Sequence, residues 1–174
     1  MTVRKAMSAD IAAVSEIFED IHTEEESGRV TIGWIRGVYP TRATADSALA
    51  RDDLFVLEED GKVLGTAVIN QIQVDSYADG AWRYAAPEEE VMVLHTLVIS
   101  PKAARRGCGR TFVDFYERYA LENGCKFLRM DTNARNVNAR AMYQKLGYAE
   151  VDTVPCEFNG SPGVQLVLLE KYLG

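Results

Sequence analysis

The segment from Val91 to Tyr119 constrains the fold of this chain more than any other. "VMVLHTLVI" is apolar at most positions, the pattern of a strand covered on both faces, and Ser100-Pro101 stops it. After "ARRGCGR", Phe112, Phe115, Tyr116 and Tyr119 recur on one side of a helix that ends at Asn123-Gly124. A doubly covered strand running into an amphipathic helix belongs to a layered α/β protein. The junction itself is unusual. A helix N-terminus carries free N–H groups and partial positive charge, which suits phosphate. Gly107 and Gly109 remove the Cβ atoms that would hold an anion off the backbone, while Arg105, Arg106 and Arg110 add charge. A plain tight strand-to-helix turn is the other reading of the same residues.

The flanking sequence supplies further elements. Ser8 is the expected cap of a first helix with Ile11, Val14, Ile17, Phe18 and Ile21 inward, giving way to polar "HTEEESG". "TIGWIRGVYPT" is broken by glycine and proline, and "TRATADSALARD" reads as a second short helix. "LFVLEEDGKVLGTAVINQIQV" is a hairpin about Asp60-Gly61. "CKFLRMD" is a strand, "NVNARAMYQKL" a helix closed by Gly147, and "GVQLVLL" a final strand after "NGSPG". These elements indicate a mixed α/β sheet.

With 174 residues, 47% of them hydrophobic, we expect one domain over residues 1–174. No stretch is apolar enough to span a bilayer and "MTVRKAMSAD" lacks the apolar middle of a signal peptide, so a cytoplasmic protein without membrane association is expected. Cys108, Cys125 and Cys156 form no CxxC pair, which argues against disulfides and a metal site. A net charge of −7 argues against nucleic acid. That charge is uneven: residues 1–90 hold 8 basic and 18 acidic side chains, residues 91–174 hold 11 and 8. Either surface charge is scattered unevenly along the chain, or the second half binds a polyanion.

Three phosphate loops compete for "ARRGCGR". A Walker loop needs a Lys-Ser or Lys-Thr that is missing here. A dinucleotide loop finds its acidic residue in Asp131 but has Phe112 where its third glycine belongs. The third is the [QR]xxGxG[AS] motif of the GNAT superfamily of acyl-CoA-dependent N-acyltransferases. Ala104 to Arg110 resembles it at both glycines, with Ala104 in place of Gln or Arg and Arg110 in place of a small residue. "NVNARAMYQKLGY" matches the family's NxxAxxxYxxxGF at Asn136, Ala139, Tyr143, Gly147 and, conservatively, Tyr148. The start "VRKAMSADIAAV" is similar to the family's first strand and helix.

This resemblance implies a mostly antiparallel twisted sheet of six to seven strands flanked by about four helices. It also implies acetyl-CoA as co-substrate, attacked directly by a primary amine on a small molecule or peptide. A non-catalytic acyl-CoA sensor of the same fold is the alternative, and oligomeric state, a homodimer included, stays open. The implied cofactor contacts are Arg105, Arg106, Gly107, Cys108, Gly109, Arg110 and Thr111 around the pyrophosphate. Leu97, Val98 and Ile99 would add main-chain groups, Asn136 would cap its helix or bond the pantetheine arm, and Tyr143 would sit along that arm. Tyr143, two helical turns after Asn136, is the expected acid for the departing thiolate. The Glu that many relatives use as base is Val93 here, so His95, on the same strand face unless a bulge intervenes, is the expected base or the residue that orders a basic water. Asp131, Glu90 and Glu157 are further carboxylates for that water. For a cationic acceptor, Glu25 within Glu24–Glu26 would supply charge, and Trp34 or Tyr39 an apolar wall.

Overall fold

A computed structural model describes residues 1–174. Its strands are β1 (Thr2–Lys5), β2 (Leu54–Glu59), β3 (Lys62–Asn70), β4 (Val91–Ile99), β5 (Phe127–Asn133), β6 (Ala149–Phe158) and β7 (Ser161–Tyr172). The helices are α1 (Ile11–Glu26), α2 (Arg42–Ala50), α3 (Cys108–Glu122) and α4 (Val137–Lys145). All seven strands form one sheet in the order β1-β2-β3-β4-β5-β7-β6. Only β4 and β5 run parallel, joined by α3 as crossover. No helix is long and apolar enough to cross a membrane.

Strand alternation divides the apolar residues between two faces. Phe55, Leu57, Ile69, Leu94, Leu128 and Met130 meet α3 and α4 on the first face, and Phe112 and Tyr116 are completely buried there. Burial of each such ring contributes about 2–3 kcal/mol. Phe112 is therefore core, in the position where a dinucleotide loop needs glycine for close helix–strand packing. On the second face, Leu54, Val56, Val68 and Val98 meet α1 and α2. Beyond them Val91, Val93, Leu166 and Leu168 are covered by the long β3–β4 connection, which brings in Tyr77.

Two expectations change. Ser8 does not cap α1. It opens a 3-10 turn, Ser8–Asp10, in which the Asp10 carboxylate accepts the Met7 N–H at 2.7 Å and is held by Arg4 at 2.7 and 3.0 Å. The Arg4 guanidinium keeps the Asp10 carboxyl below the usual range. The last strand is also longer than "GVQLVLL" and pairs with β6, which simple alternation does not reveal. β6 is a half-exposed edge strand that contains Pro155, a residue tolerated only where its missing N–H faces outward.

Candidate active site

α3 starts from Gly107, whose φ of +80° is left-handed backbone that a Cβ disfavours. Arg105 is left-handed too, at +62°. These two residues fold the loop so that no amide N–H from Arg105 through Arg110 donates to any group in the protein. The first helical bond is Thr111 N–H to the Gly107 carbonyl, at 3.0 Å. Unused donors in a row at a helix N-terminus fit a pyrophosphate. Thr111 is the exception to the expected contacts, because its amide is consumed by that bond and its hydroxyl also points to Gly107 O, at 3.3 Å. Cys108 has only its N–H to offer, since its thiol is buried against the Ala103 carbonyl. Arg106 pairs with Glu59, Arg105 is exposed and unpaired, and Arg110 lines a cleft between α3 and α4 with Lys145 and Met142.

A Cβ placed on Gly109 would lie 2.9 Å from the sulfur of Met142, inside that cleft. Met142 is flexible and can yield, so Gly109→Val folds, but the branched side chain obstructs the amides. We expect CoA affinity to fall by about tenfold or more, the scale of distorted hydrogen bonds to a charged group. Calorimetry on the folded variant checks this, and unchanged affinity would remove the loop from the CoA site.

The sheet opens just beyond this loop. β4 and β5 are paired from Val91/Phe127 to Leu94/Met130 and then part, although β5 goes on pairing with β7 through Asn133. A bulge opposite Ala67, with Thr96 at φ +50°, turns β4 away. The gap holds a cavity of about 120 Å³ that reaches both faces of the sheet. Leu97, Ala139 and Tyr143 line it on the side of α4, and Trp34, His95 and Asp131 on the other. Val98 points into the second-face core and Ile99 is half-buried, so of the expected β4 contacts only Leu97 reaches the cavity.

Asn136 caps α4, accepting the Ala139 N–H at 3.3 Å, and lines the cavity as well. Tyr143 is buried edge-on to Tyr148 at 6.1 Å, and its hydroxyl has no hydrogen-bond partner in the protein. Burial, reinforced by the negative charge of Asp131, holds its phenol well above the ordinary value.

The two candidate bases differ. Asn70 gives its NH₂ to Asp53 at 2.7 Å and accepts the Ile72 N–H at 2.9 Å, which fixes its carbonyl oxygen toward His95 Nε2 at 3.0 Å. That network assigns a hydrogen to Nε2. Burial pushes His95 down to about 4, so it is neutral across the physiological range. Asp131 moves the other way. Desolvation pushes its carboxyl up to about 6, opposed by the Tyr77 hydroxyl, which donates to it at 2.8 Å. Tyr77 is locked in turn: its ring meets Trp82 at 5.0 Å, its carbonyl accepts the Trp82 indole N–H at 2.8 Å, and the Arg129 guanidinium lies 4.1 Å over Trp82. Periodicity gave no hint of Tyr77, which stands in an irregular connection far from Asp131 in sequence. Glu90 lies at the opposite end of β4 from the cavity, and Glu157 is exposed on β6 outside it.

Tyr77→Phe removes a donor to the ionised form of Asp131 and so raises the Asp131 pKa further. Where that carboxylate acts as a base, the acidic limb of the kcat/KM profile moves toward higher pH by about 1 unit, the equivalent of one charged hydrogen bond. A limb that stays in place or moves down would separate Tyr77 from catalysis.

On the acceptor side, Trp34 and Tyr39 meet edge-on at 5.9 Å and both line the cavity. Glu25 does not. Its carboxylate accepts the N–H groups of Ile32 at 2.6 Å and Gly33 at 3.0 Å, fastening the α1–α2 loop. Glu24 pairs with Arg29 at 2.6 Å and Glu26 with Arg36 at 2.8 Å, so all three carboxylates of the run are engaged within their own loop.

Comparison with known proteins places the fold in a family. Residues 13–148 match the Acetyltransferase (GNAT) family. YhfO of Bacillus subtilis, named as an N-acetyltransferase and itself uncharacterised, is 23% identical over 152 residues, covering 86% of this chain and 91% of that protein. A Staphylococcus aureus Mu50 structure assigned as an acetyltransferase is 22% identical, with a TM-score of 0.73 and full coverage of both chains. The yncA protein of Salmonella typhimurium, assigned as an acetyltransferase and solved with its cofactor acetyl-CoA, is 18% identical, with a TM-score of 0.69 over 99% of this chain and 94% of that one. The chain belongs to the GNAT acetyltransferase family, the acyl-CoA-dependent N-acyltransferases that use acetyl-CoA.

Proposed function

We propose that the protein transfers the acetyl group of acetyl-CoA to a primary amine by direct attack in a ternary complex. The observation that carries this reading is the juxtaposition, across the parted β4 and β5, of a buried phenol with no partner and a carboxyl tuned to about 6. Acetyl-CoA supplies an activated acyl carbon on a thioester. The amides from Arg105 to Arg110 hold its pyrophosphate, and β4 main-chain N–H groups beyond Leu94, which β5 no longer accepts, face its carbonyl.

Asp131 takes the proton that the amine must lose as its nitrogen bonds to the acyl carbon. As the C–S bond breaks, Tyr143 gives its proton to the sulfur, and the burial that keeps the phenol protonated also keeps the thiolate in need of that proton. His95, already neutral, orders the amine or a water beside it. A base near 4 is too weak to deprotonate an ammonium efficiently, so the role first expected of His95 passes to Asp131. The acceptor is a small molecule or an exposed peptide amine. Cytoplasmic residence is in keeping with three free thiols.

A thiol-release screen with acetyl-CoA across amines, amino acids, aminoglycosides and peptides tests the reading. We expect at least one amine to raise release well above hydrolysis, and acetyl-CoA but not NAD to raise the melting temperature. No release with any amine, despite bound acetyl-CoA, would leave an acyl-CoA sensor.

A further inference from the structure

Beside the central cavity lies a second, larger one of about 310 Å³, between α2 and the edges of β3 and β4. The two share Tyr39, His95 and Thr96, so they adjoin along those side chains. The Tyr39 and Thr96 hydroxyls are hydrogen-bonded to each other at that border. The reacting amine and the acyl group meet in the central cavity, and the adjoining pocket is open to the rest of an acceptor.

The second pocket is chemically one-sided. Arg51 lines it, together with Ser47, Thr44 and Asn70, and no carboxylate does. Arg51 uses Nε and Nη2 on Asp53, at 2.9 and 3.2 Å, while Nη1 makes no hydrogen bond. Asp53 is almost wholly buried and also receives Asn70 at 2.7 Å, so its charge is satisfied behind the pocket wall. The Ser47 hydroxyl has no partner, whereas Thr44 accepts the Thr41 N–H at 3.0 Å. A half-exposed guanidinium edge with a free nitrogen, next to a free hydroxyl, is a recognition surface for a planar oxyanion. The carboxylate of Asp131 lines the adjoining central cavity. The Tyr39 hydroxyl lies in the field of both charges, Asp131 pushing its pKa up and Arg51 pulling it down, with desolvation the larger influence.

We propose that the acceptor is an amino acid or similar amino-carboxylate, its amine in the central cavity toward Asp131 and His95 and its carboxylate on Arg51 and Ser47. This rests on the acetyl-transfer reading and narrows its substrate class. It also replaces the acidic loop Glu24–Glu26 as the basis for acceptor choice, since those carboxylates are already engaged.

The test is thiol release by the full-length protein with acetyl-CoA and matched acceptors: free amino acids, of α and ω type, against their carboxamides. The best free amino acid is expected to exceed its carboxamide in kcat/KM by about 30-fold or more, the discrimination available when a site's charged donor loses its partner. Arg51→Gln abolishes that ratio by lowering the carboxylate substrate alone, Arg51→Lys retains part of it, and CoA affinity stays constant in both. Ser47→Ala, an exposed site with no folding role, lowers the ratio by a few-fold. Equal rates for acid and amide in the wild type, or a ratio that survives Arg51→Gln, overturns the proposal while leaving acetyl transfer intact. Absence of release with every acceptor overturns both.

Discussion

Replacing Tyr143 with phenylalanine lowers kcat by about 10² to 10⁴, the range for loss of a positioned general acid, and leaves CoA affinity nearly unchanged. The structure makes this substitution unusually clean. The Tyr143 hydroxyl bonds nothing in the protein, so its removal orphans no donor or acceptor, and the ring keeps its packing against Tyr148. A melting temperature within a few degrees of wild type should therefore accompany the loss. Steady-state turnover, with calorimetry for CoA, checks the pair of expectations. Turnover within a factor of two of wild type would assign the proton to water and Tyr143 to the core.

Asp131→Asn produces the second large loss, about 10² to 10³ in kcat/KM at neutral pH. Asn is isosteric and can still accept the Tyr77 hydroxyl, so the side chain stays in place and only its basicity goes. The sign of the pH effect follows from the direction of the shift. Wild-type Asp131 is a base only once ionised, so activity rises with pH through about 6, and the variant loses that limb. A variant that retains the limb has its base elsewhere, and His95 cannot supply it near 6 because burial has moved it to about 4.

The expected cofactor contacts could be read from sequence because they are local. Gly107, Gly109, Asn136 and Tyr143 sit at fixed spacings along two helices, and spacing along a helix is spacing in space. The glycine loop was also readable as physics, since a left-handed residue before a helix needs no distant partner. The acceptor half was not. Asp131 acquires its shifted pKa from burial beneath a connection whose Tyr77 is more than fifty residues away, and no periodicity encodes that encounter. Glu25 illustrates the converse error. A run of three acids suggested an electrostatic lure, yet two backbone amides and two nearby arginines absorb it. β6 was hidden by Pro155 and by its place at the sheet edge, where half-exposed strands lose clean alternation.

The parting of β4 and β5 has a kinetic consequence. A depression on a protein surface has one mouth, so two reactants must queue and the first product blocks the next arrival. A gap lined from both faces of a sheet offers two sides of approach. On the proposed reading, cofactor arrives from the α4 side and acceptor from the opposite face, so the two need not cross paths.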